Sequence, residues 1–305
     1  AVKLDVFTVI GDKQITAGQI SHKLNGSQRG VERLLDALTA MNLLEKTDGK
    51  YANTSLGKTF LAKGSPKYMG HIIMHHHNLQ ESWSQLDQAV LSGRPVRTRA
   101  SSNNDEWRES FLMGMFNLAM GLAPKIVPLI DLSSRRHLLD LGGGPGTYAI
   151  HFCMNNSHLK ATVYDLPTTR PFAEKTIERF KLADKIQFSD GNYLKDPIEG
   201  RYDAIWLSHI LHGEGPEDCR MIIKKAVDAL EPGGIIIIHD FILNNSMDGP
   251  VFPALFSLNM LLGTDSGQSY SEDQIKDMLA DAGVKDMRRI AVQSPNDSGI
   301  IIGSV

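Results

Sequence analysis

The chain has 305 residues, 42% of them hydrophobic and 22% charged, with a formal net charge of −3. That length allows two domains with separate cores, and the near-neutral balance points to neither a nucleic-acid nor a membrane partner. No apolar run approaches the ~20 residues of a membrane span, and the two distant cysteines, Cys153 and Cys219, read as reduced thiols of a cytoplasmic protein.

Ala1 to Phe7 read as the second half of an amphipathic helix. Thr16 and Gln19 make a capping-box pattern that starts a helix through Leu24. Asn25-Gly26-Ser27 supplies a turn and an N-cap, after which Val31, Leu34, Leu35, Leu38 and Met41 share one face at helical spacing. Leu43 to Lys46 and Lys50 to Ala52 flank an Asp48-Gly49 turn, as in a hairpin. Helix, turn, helix, hairpin is a winged-helix pattern. Its second helix sets Arg29 and Arg33 against Glu32 and Asp36, a balance that argues against a DNA-reading surface. Helical signal runs from Tyr68 to Leu91 and again from Asp105 to Ile130, with a polar, proline-bearing joint at 92–104. The joint divides the chain into domains 1–100 and 101–305. His71, His75, His76 and His77 cluster before it, with no Cys or carboxylate partner to complete a metal site, and no metal is expected.

From His137 onward strand-like and helical segments alternate. Strands are predicted at 137–141, 160–165, 185–189, 202–208 and 234–240, with helices near 147–155, 168–182 and 216–231 between them. This alternation predicts an α/β domain with a Rossmann-like, mostly parallel sheet. A helix at 271–283 precedes strands at 288–293 and 298–304, which close the sheet as an antiparallel hairpin through Pro295-Asn296-Asp297. The first strand ends at Asp140 and opens a G-x-G-x-G turn, Gly142, Gly144 and Gly146, at a helix N-terminus. Dinucleotide folds use G-x-G-x-x-G to face a pyrophosphate. The tighter spacing here suits a ligand with adenosine and a charged amino acid but no phosphate, which is S-adenosylmethionine (SAM). Asp165 ends the second strand, where a carboxylate can accept from both ribose hydroxyls. Asn192 and Tyr193 follow the third, where an amide can pair with the adenine edge and a ring can cover its face. Leu166 and Ser208, at the ends of the second and fourth strands, complete the cofactor set.

Taken together, Arg33 to Leu38, the Asp140 to Gly146 loop, Tyr164-Asp165-Leu166-Pro167, Leu211-His212, Leu230-Glu231-Pro232-Gly233-Gly234 and Ala282-Gly283 resemble the two-domain small-molecule O-methyltransferases. That family includes the plant caffeate and isoflavone enzymes and acetylserotonin O-methyltransferase. The resemblance implies a metal-independent, SAM-dependent methyltransferase whose N-terminal domain is an intertwined homodimerisation module. It places the catalytic base at His212, which can take the proton from a phenol (pKa ~10) as the methyl is transferred. The positions that orient the base match Asp240 and Gln274, with Glu272 as a substitute for the latter. Gly213-Glu214 stands where the family carries Asp-Trp, and Gly191-Asn192-Tyr193 replaces Gly-Asp-aromatic. The family's acceptor-facing Phe-x-x-x-Met pattern falls on Phe111 and Met115 in the helical linker, and a helix at 253–262 adds Phe256, Asn259 and Met260. His209 is a further candidate for contact with a small aromatic hydroxyl acceptor. The competing readings are methylation of a ring carbon and a SAM-binding homologue without O-methyl transfer. A nicotinamide dehydrogenase does not account for Leu211-His212. A metal-dependent catechol-type enzyme lacks its carboxylate at Ser208-His209.

Overall fold

Seven strands form the central sheet of the computed structural model, which describes residues 1–99 and 104–305. By their contacts the residues fall into two units that interleave in sequence, Ala1–Leu79 with Asp105–Asn117, and Gln80–Asn104 with Leu118–Val305. A single cut does not separate them, because the first turns of one long helix belong to the first unit and its remainder to the second. The boundary expected at 100/101 lies outside the described residues.

In the first unit, β1 (Ile15–Thr16), β2 (Leu44–Thr47) and β3 (Lys50–Asn53) make a small antiparallel sheet in the order β1-β3-β2. Around it stand α1 (Val6–Ile10), α2 (Ala17–Lys23), α3 (Gln28–Ala40) and α4 (Ser55–Leu61). The capping box is formed: Gln19 N–H donates to Thr16 Oγ1 at 3.2 Å, and Thr16 N–H to Gln19 Oε1 at 2.9 Å. Asp48 and Gly49 both take positive φ, 49° and 73°, as a two-residue hairpin turn requires. Phe7, Ile20, Leu35 and Tyr51 are buried in this unit's core. The opening residues differ from expectation. Asp5 adopts φ 54° and splits them into a 3-10 turn, Val2–Leu4, and α1.

The helical stretch predicted at 68–91 is likewise two helices, α5 (Gly70–Trp83) and α6 (Leu86–Ser92), broken at Ser84 and Gln85. The long helix α7 (Asp105–Ile126) runs on into a 3-10 turn, Val127–Leu129. Contrary to the sequence expectation, Asp105–Leu129 is long and apolar enough to cross a membrane by length and composition alone. Its Ala123, Ile126 and Val127 are buried in the main core of the second unit.

The main sheet contains β4 (His137–Leu141), β5 (Lys160–Asp165), β6 (Ile186–Asp190), β7 (Tyr202–Ser208), β8 (Leu230–Phe241), β9 (Lys285–Ile290) and β10 (Ser298–Ser304). They lie in the order β6-β5-β4-β7-β8-β10-β9, with β10 antiparallel to both neighbours. Strand residues alternate between two cores. Leu138, Val163, Trp206 and Ile237 pack with α7, α8 (Thr147–Asn155) and α9 (Arg170–Arg179). Leu139, Leu141, Ile205, Leu207, Ile236 and Ile238 pack with α10 (Pro216–Asp228) and α12 (Glu272–Asp281). Burial on both faces is why these strands read as nearly unbroken apolar runs. β8 starts four residues before the expected 234 because Leu230 already pairs with Tyr202; the register then shifts across Glu231 to Gly234 before Ile235 pairs with Ala204. β9 lies at 285–290 rather than 288–293. The chain leaves β4 toward β5 and returns to its other side as β7, so a switch point opens beyond the carboxyl ends of β4 and β7.

Candidate active site

The glycine loop occupies one wall of that switch point. Gly142, Gly144 and Gly146 all take positive φ, between 55° and 77°. A Cβ at Gly142 would lie 2.3 Å from Ile210 Cδ1, whereas one at Gly144 would meet nothing within 4 Å. The loop is therefore closed on the protein side and open on the ligand side. Gly146 is the N-cap of α8 and brings no side chain to the helix end. Asp140 is 1% exposed and accepts from Ala149 N–H at 3.1 Å, so it ties the strand end to α8. Burial, with Asp165 adding to it, pushes its carboxyl up to about 7. Asp165 accepts from Gly144 N–H on Oδ2 (2.8 Å) and from Leu166 N–H and the Thr169 hydroxyl on Oδ1 (2.7 and 2.9 Å). Only Oδ2 keeps a free lone pair for a ligand donor, so accepting from both ribose hydroxyls would displace a loop contact. Open glycine backbone, an uncapped helix end and a strand-end carboxylate fit the adenosine and amino-acid parts of SAM.

Three side chains expected at the cofactor or the base make contacts within the protein. Asn192 Oδ1 accepts from Leu194 N–H at 2.9 Å and closes a local turn. Ser208 Oγ bonds Nδ1 of both His209 (3.0 Å) and His239 (2.9 Å), which turns it into the interior. Gln274 is the N3 residue of α12, and its Oε1 accepts from Ser271 N–H at 2.9 Å, so it caps a helix and not the imidazole. Glu272 pairs with Lys276 and Arg289.

His212 and Asp240 are brought together. His212 sits in a 3-10 turn, Leu211–Gly213, beyond β7, and Asp240 near the end of β8. His212 Nδ1 lies 2.6 Å from Asp240 Oδ1, which also accepts from Phe241 N–H at 2.8 Å. Burial would raise the Asp240 carboxyl, but the facing imidazole and the hydrogen bonds outweigh it and hold it at about 2. An ionised carboxylate keeps the proton on Nδ1 and leaves Nε2 as the basic nitrogen. Phe241 stacks on the imidazole at 5.5 Å and Phe256 meets it edge-on at 4.8 Å.

His209 holds φ 58°, and burial pushes its imidazole down to about 4, so it is neutral; its Nε2 has no hydrogen-bond partner among the described residues. Phe256, Asn259 and Met260 lie on α11 (Val251–Gly263), with Met260 8% exposed. Met115 is half-buried in the part of α7 that belongs to the first unit. In that unit His75 packs against Phe111 at 5.4 Å.

Sequence reading did not anticipate several polar contacts. Arg99 grips Glu214 with Nη1 to Oε1 at 2.6 Å and Nη2 to Oε2 at 2.8 Å, and Glu214 is 2% exposed. The Tyr193 hydroxyl donates to the same Oε1 at 3.0 Å, so Tyr193 is held beside Gly142 by this ion pair. His239 Nε2 meets Ser298 Oγ at 3.0 Å in a fully buried network. Arg97 donates from Nη2 to Asn259. The one signal for the Arg99 pair was Glu214 itself, a charged residue next to the base at an unexpected position.

The O-methyltransferase domain model matches residues 83–285, and the O-methyltransferase dimerisation domain model matches residues 1–63. The chain is 31% identical to 3-hydroxy-5-methyl-1-naphthoate 3-O-methyltransferase from Streptomyces sahachiroi, over 99% of this chain and 89% of the relative. It is 30% identical to the S-adenosyl-L-methionine-dependent methyl transferase PigF from Serratia sp., over 99% of this chain and 90% of that protein. The solved structure of PigF with SAH superposes with a TM-score of 0.88 at 26% identity, covering 100% of this chain and 94% of the other. A dimerisation domain, a glycine loop shaped for SAM and these matches lead to one conclusion: the chain belongs to the SAM-dependent O-methyltransferases, enzymes of small-molecule substrates.

Proposed function

We propose that His212 is the general base of methyl transfer to the hydroxyl of a small aromatic acceptor, with Asp240 as its orienting partner. The observation that carries this reading is the 2.6 Å contact between His212 Nδ1 and a buried, ionised Asp240 beside the glycine loop. When bound, SAM supplies an electrophilic methyl carbon. Gly142, Gly144, Asp165 and Leu166 would hold it, and Tyr193 would close the loop from the other side. His212 Nε2 takes the acceptor's hydroxyl proton as the oxygen becomes nucleophilic, and Asp240 stabilises the imidazolium that results. The rings of Phe241 and Phe256, both within 5.5 Å of the imidazole, make an apolar wall suited to a flat acceptor. A hydroxynaphthoate enzyme among the relatives supports an aromatic hydroxyl as the acceptor group.

The dimerisation-domain match supports a homodimer formed through the N-terminal domain, which light scattering on the purified chain tests. Two buried free thiols, Cys153 and Cys219, support a reducing, cytoplasmic setting. The function is tested by S-adenosylhomocysteine release over a panel of phenols and naphthols. Turnover that falls about 10²–10⁴-fold in His212→Ala supports the base. Turnover that survives His212→Ala, or product methylated at ring carbon, overturns it.

A further inference from the structure

We propose that Arg97 is an anion receptor in the acceptor site, so that the methyl acceptor carries a carboxylate in addition to the hydroxyl that is methylated. This rests on the proposed His212 reading for the location of the acceptor.

Arg97 is half-buried, and among the described residues no carboxylate pairs with it. Its Nη2 donates to Asn259 Oδ1 at 3.2 Å and to the Asn259 carbonyl at 3.3 Å, both neutral acceptors. Its Nε is buried and has no partner among the described residues. Burial lowers its pKa with no neighbouring carboxylate to oppose the shift. Residues 100–103, which follow it, are Ala, Ser, Ser and Asn and carry no acid. Two positions along the same segment the opposite holds, since Arg99 is matched by both oxygens of Glu214. A buried charge without a counter-charge is costly, and a ligand carboxylate would supply the missing partner.

The position is built. Val96 N–H and Arg97 N–H both donate to the Leu262 carbonyl, at 3.0 and 3.2 Å, which laces the segment to the end of α11. A Cβ at residue 263 would stand 2.5 Å from Arg97 Cζ, so the guanidinium fits because that residue is glycine. Nη2 spends both its hydrogens on Asn259, which leaves the two hydrogens of Nη1 to face a carboxylate.

The location fits an aromatic acid. Phe256, whose ring lies 4.8 Å from His212, and Asn259, which anchors Arg97, are three residues apart on α11. That spacing is about one helical turn, roughly 4.5 Å along the axis, so His212 and Arg97 flank neighbouring positions of the same helix. A hydroxyl at His212 and a carboxylate at Arg97 can then belong to one small molecule.

SAM also carries a carboxylate, and the test separates the two sources. Hydroxynaphthoates, their methyl esters and the matching naphthols are compared as acceptors for wild type, Arg97→Met and Arg97→Lys. Affinity for S-adenosylhomocysteine is measured by calorimetry on each protein. The expected result is that wild type prefers the acids, that Arg97→Met raises their KM at least 30-fold, and that Arg97→Lys recovers part of the loss. KM for the esters and naphthols should stay within threefold, and S-adenosylhomocysteine affinity within twofold. Equal losses for acids and esters, no preference for acids in the wild type, or a tenfold loss of S-adenosylhomocysteine affinity in Arg97→Met would each overturn the proposal. Binding of the acids to His212→Ala, read by the same calorimetry, keeps it independent of turnover. Acid binding that still requires Arg97 upholds the receptor even if His212 is not the base, and acid binding that ignores Arg97 sinks it. Should Arg97→Met fail to fold, the ester-to-acid binding ratio of the wild type decides, a ratio near one overturning the proposal.

Discussion

Replacing Asp240 by Asn isolates the charge that supports His212. The amide oxygen should stay at the Oδ1 position, because Phe241 N–H and His212 Nδ1 both donate there, at 2.8 and 2.6 Å. The imidazole tautomer is then preserved, while the negative charge and the long contact from His212 N–H to Oδ2 at 3.4 Å are lost. Its worth follows from Asp240 itself, held at about 2 against an ordinary 3.8 despite complete burial. That shift is on the order of 2 kcal/mol of preference for the ionised carboxylate next to the imidazole. That carboxylate faces the imidazolium that forms during proton abstraction and stabilises it. Asp240→Asn should therefore lower kcat roughly 30- to 100-fold, less than His212→Ala, with S-adenosylhomocysteine affinity unchanged. Acidic phenols, which need less help from a base, should lose less than ordinary ones. The stability readout has a definite sign. A depressed carboxyl stabilises the fold above its unfolded pKa and loses that contribution as pH falls from about 4 toward 2, so the Asn variant should lack this part of the acid-side slope. A folded Asp240→Asn protein with kcat within threefold of wild type would refute the reasoning.

Gly142→Ala should cost about 1–3 kcal/mol and weaken S-adenosylhomocysteine binding more than tenfold, because it adds a 2.3 Å contact with Ile210 to a φ of 67°. Gly144→Ala, with open space around it, should show only the smaller backbone cost of about 1–2 kcal/mol in chemical denaturation. Asp140 is raised to about 7 in the fold. Its ionisation therefore opposes folding increasingly from about pH 4 to pH 7, and Asp140→Asn should remove a loss of up to roughly 4 kcal/mol by pH 8. Parallel pH–stability curves for the two proteins would contradict this. Arg99→Met should destabilise by about 2–4 kcal/mol, since it leaves the carboxylate of Glu214, 2% exposed, without its cation. Arg99→Met with Glu214→Gln should recover most of that loss, and a double variant as unstable as the single one would count against the pair.

The chain's own pattern determined the architecture. Strands β4, β5, β7 and β10 stand where apolar runs and turn residues place them, because a strand buried on both faces needs a short, continuous apolar segment whatever its neighbours. The G-x-G-x-G turn, the Asp48-Gly49 hairpin and the Thr16 cap were legible for a similar reason: each is set by bonds and steric limits within a few residues. His212 and Asp240 were legible through their motif and their places at two strand ends.

Side-chain partners were decided only by the tertiary structure. The side-chain oxygens of Asn192, Ser208 and Gln274 have the right chemistry for a ligand, and each also bonds a protein group that no local pattern announces. Arg99 and Glu214 are 115 residues apart, and Arg97 and Asn259 are 162 apart. No local periodicity links such pairs. Whether an arginine on one segment is neutralised or left bare depends on which carboxylate the fold brings within 3 Å, and only packing of the whole chain settles that.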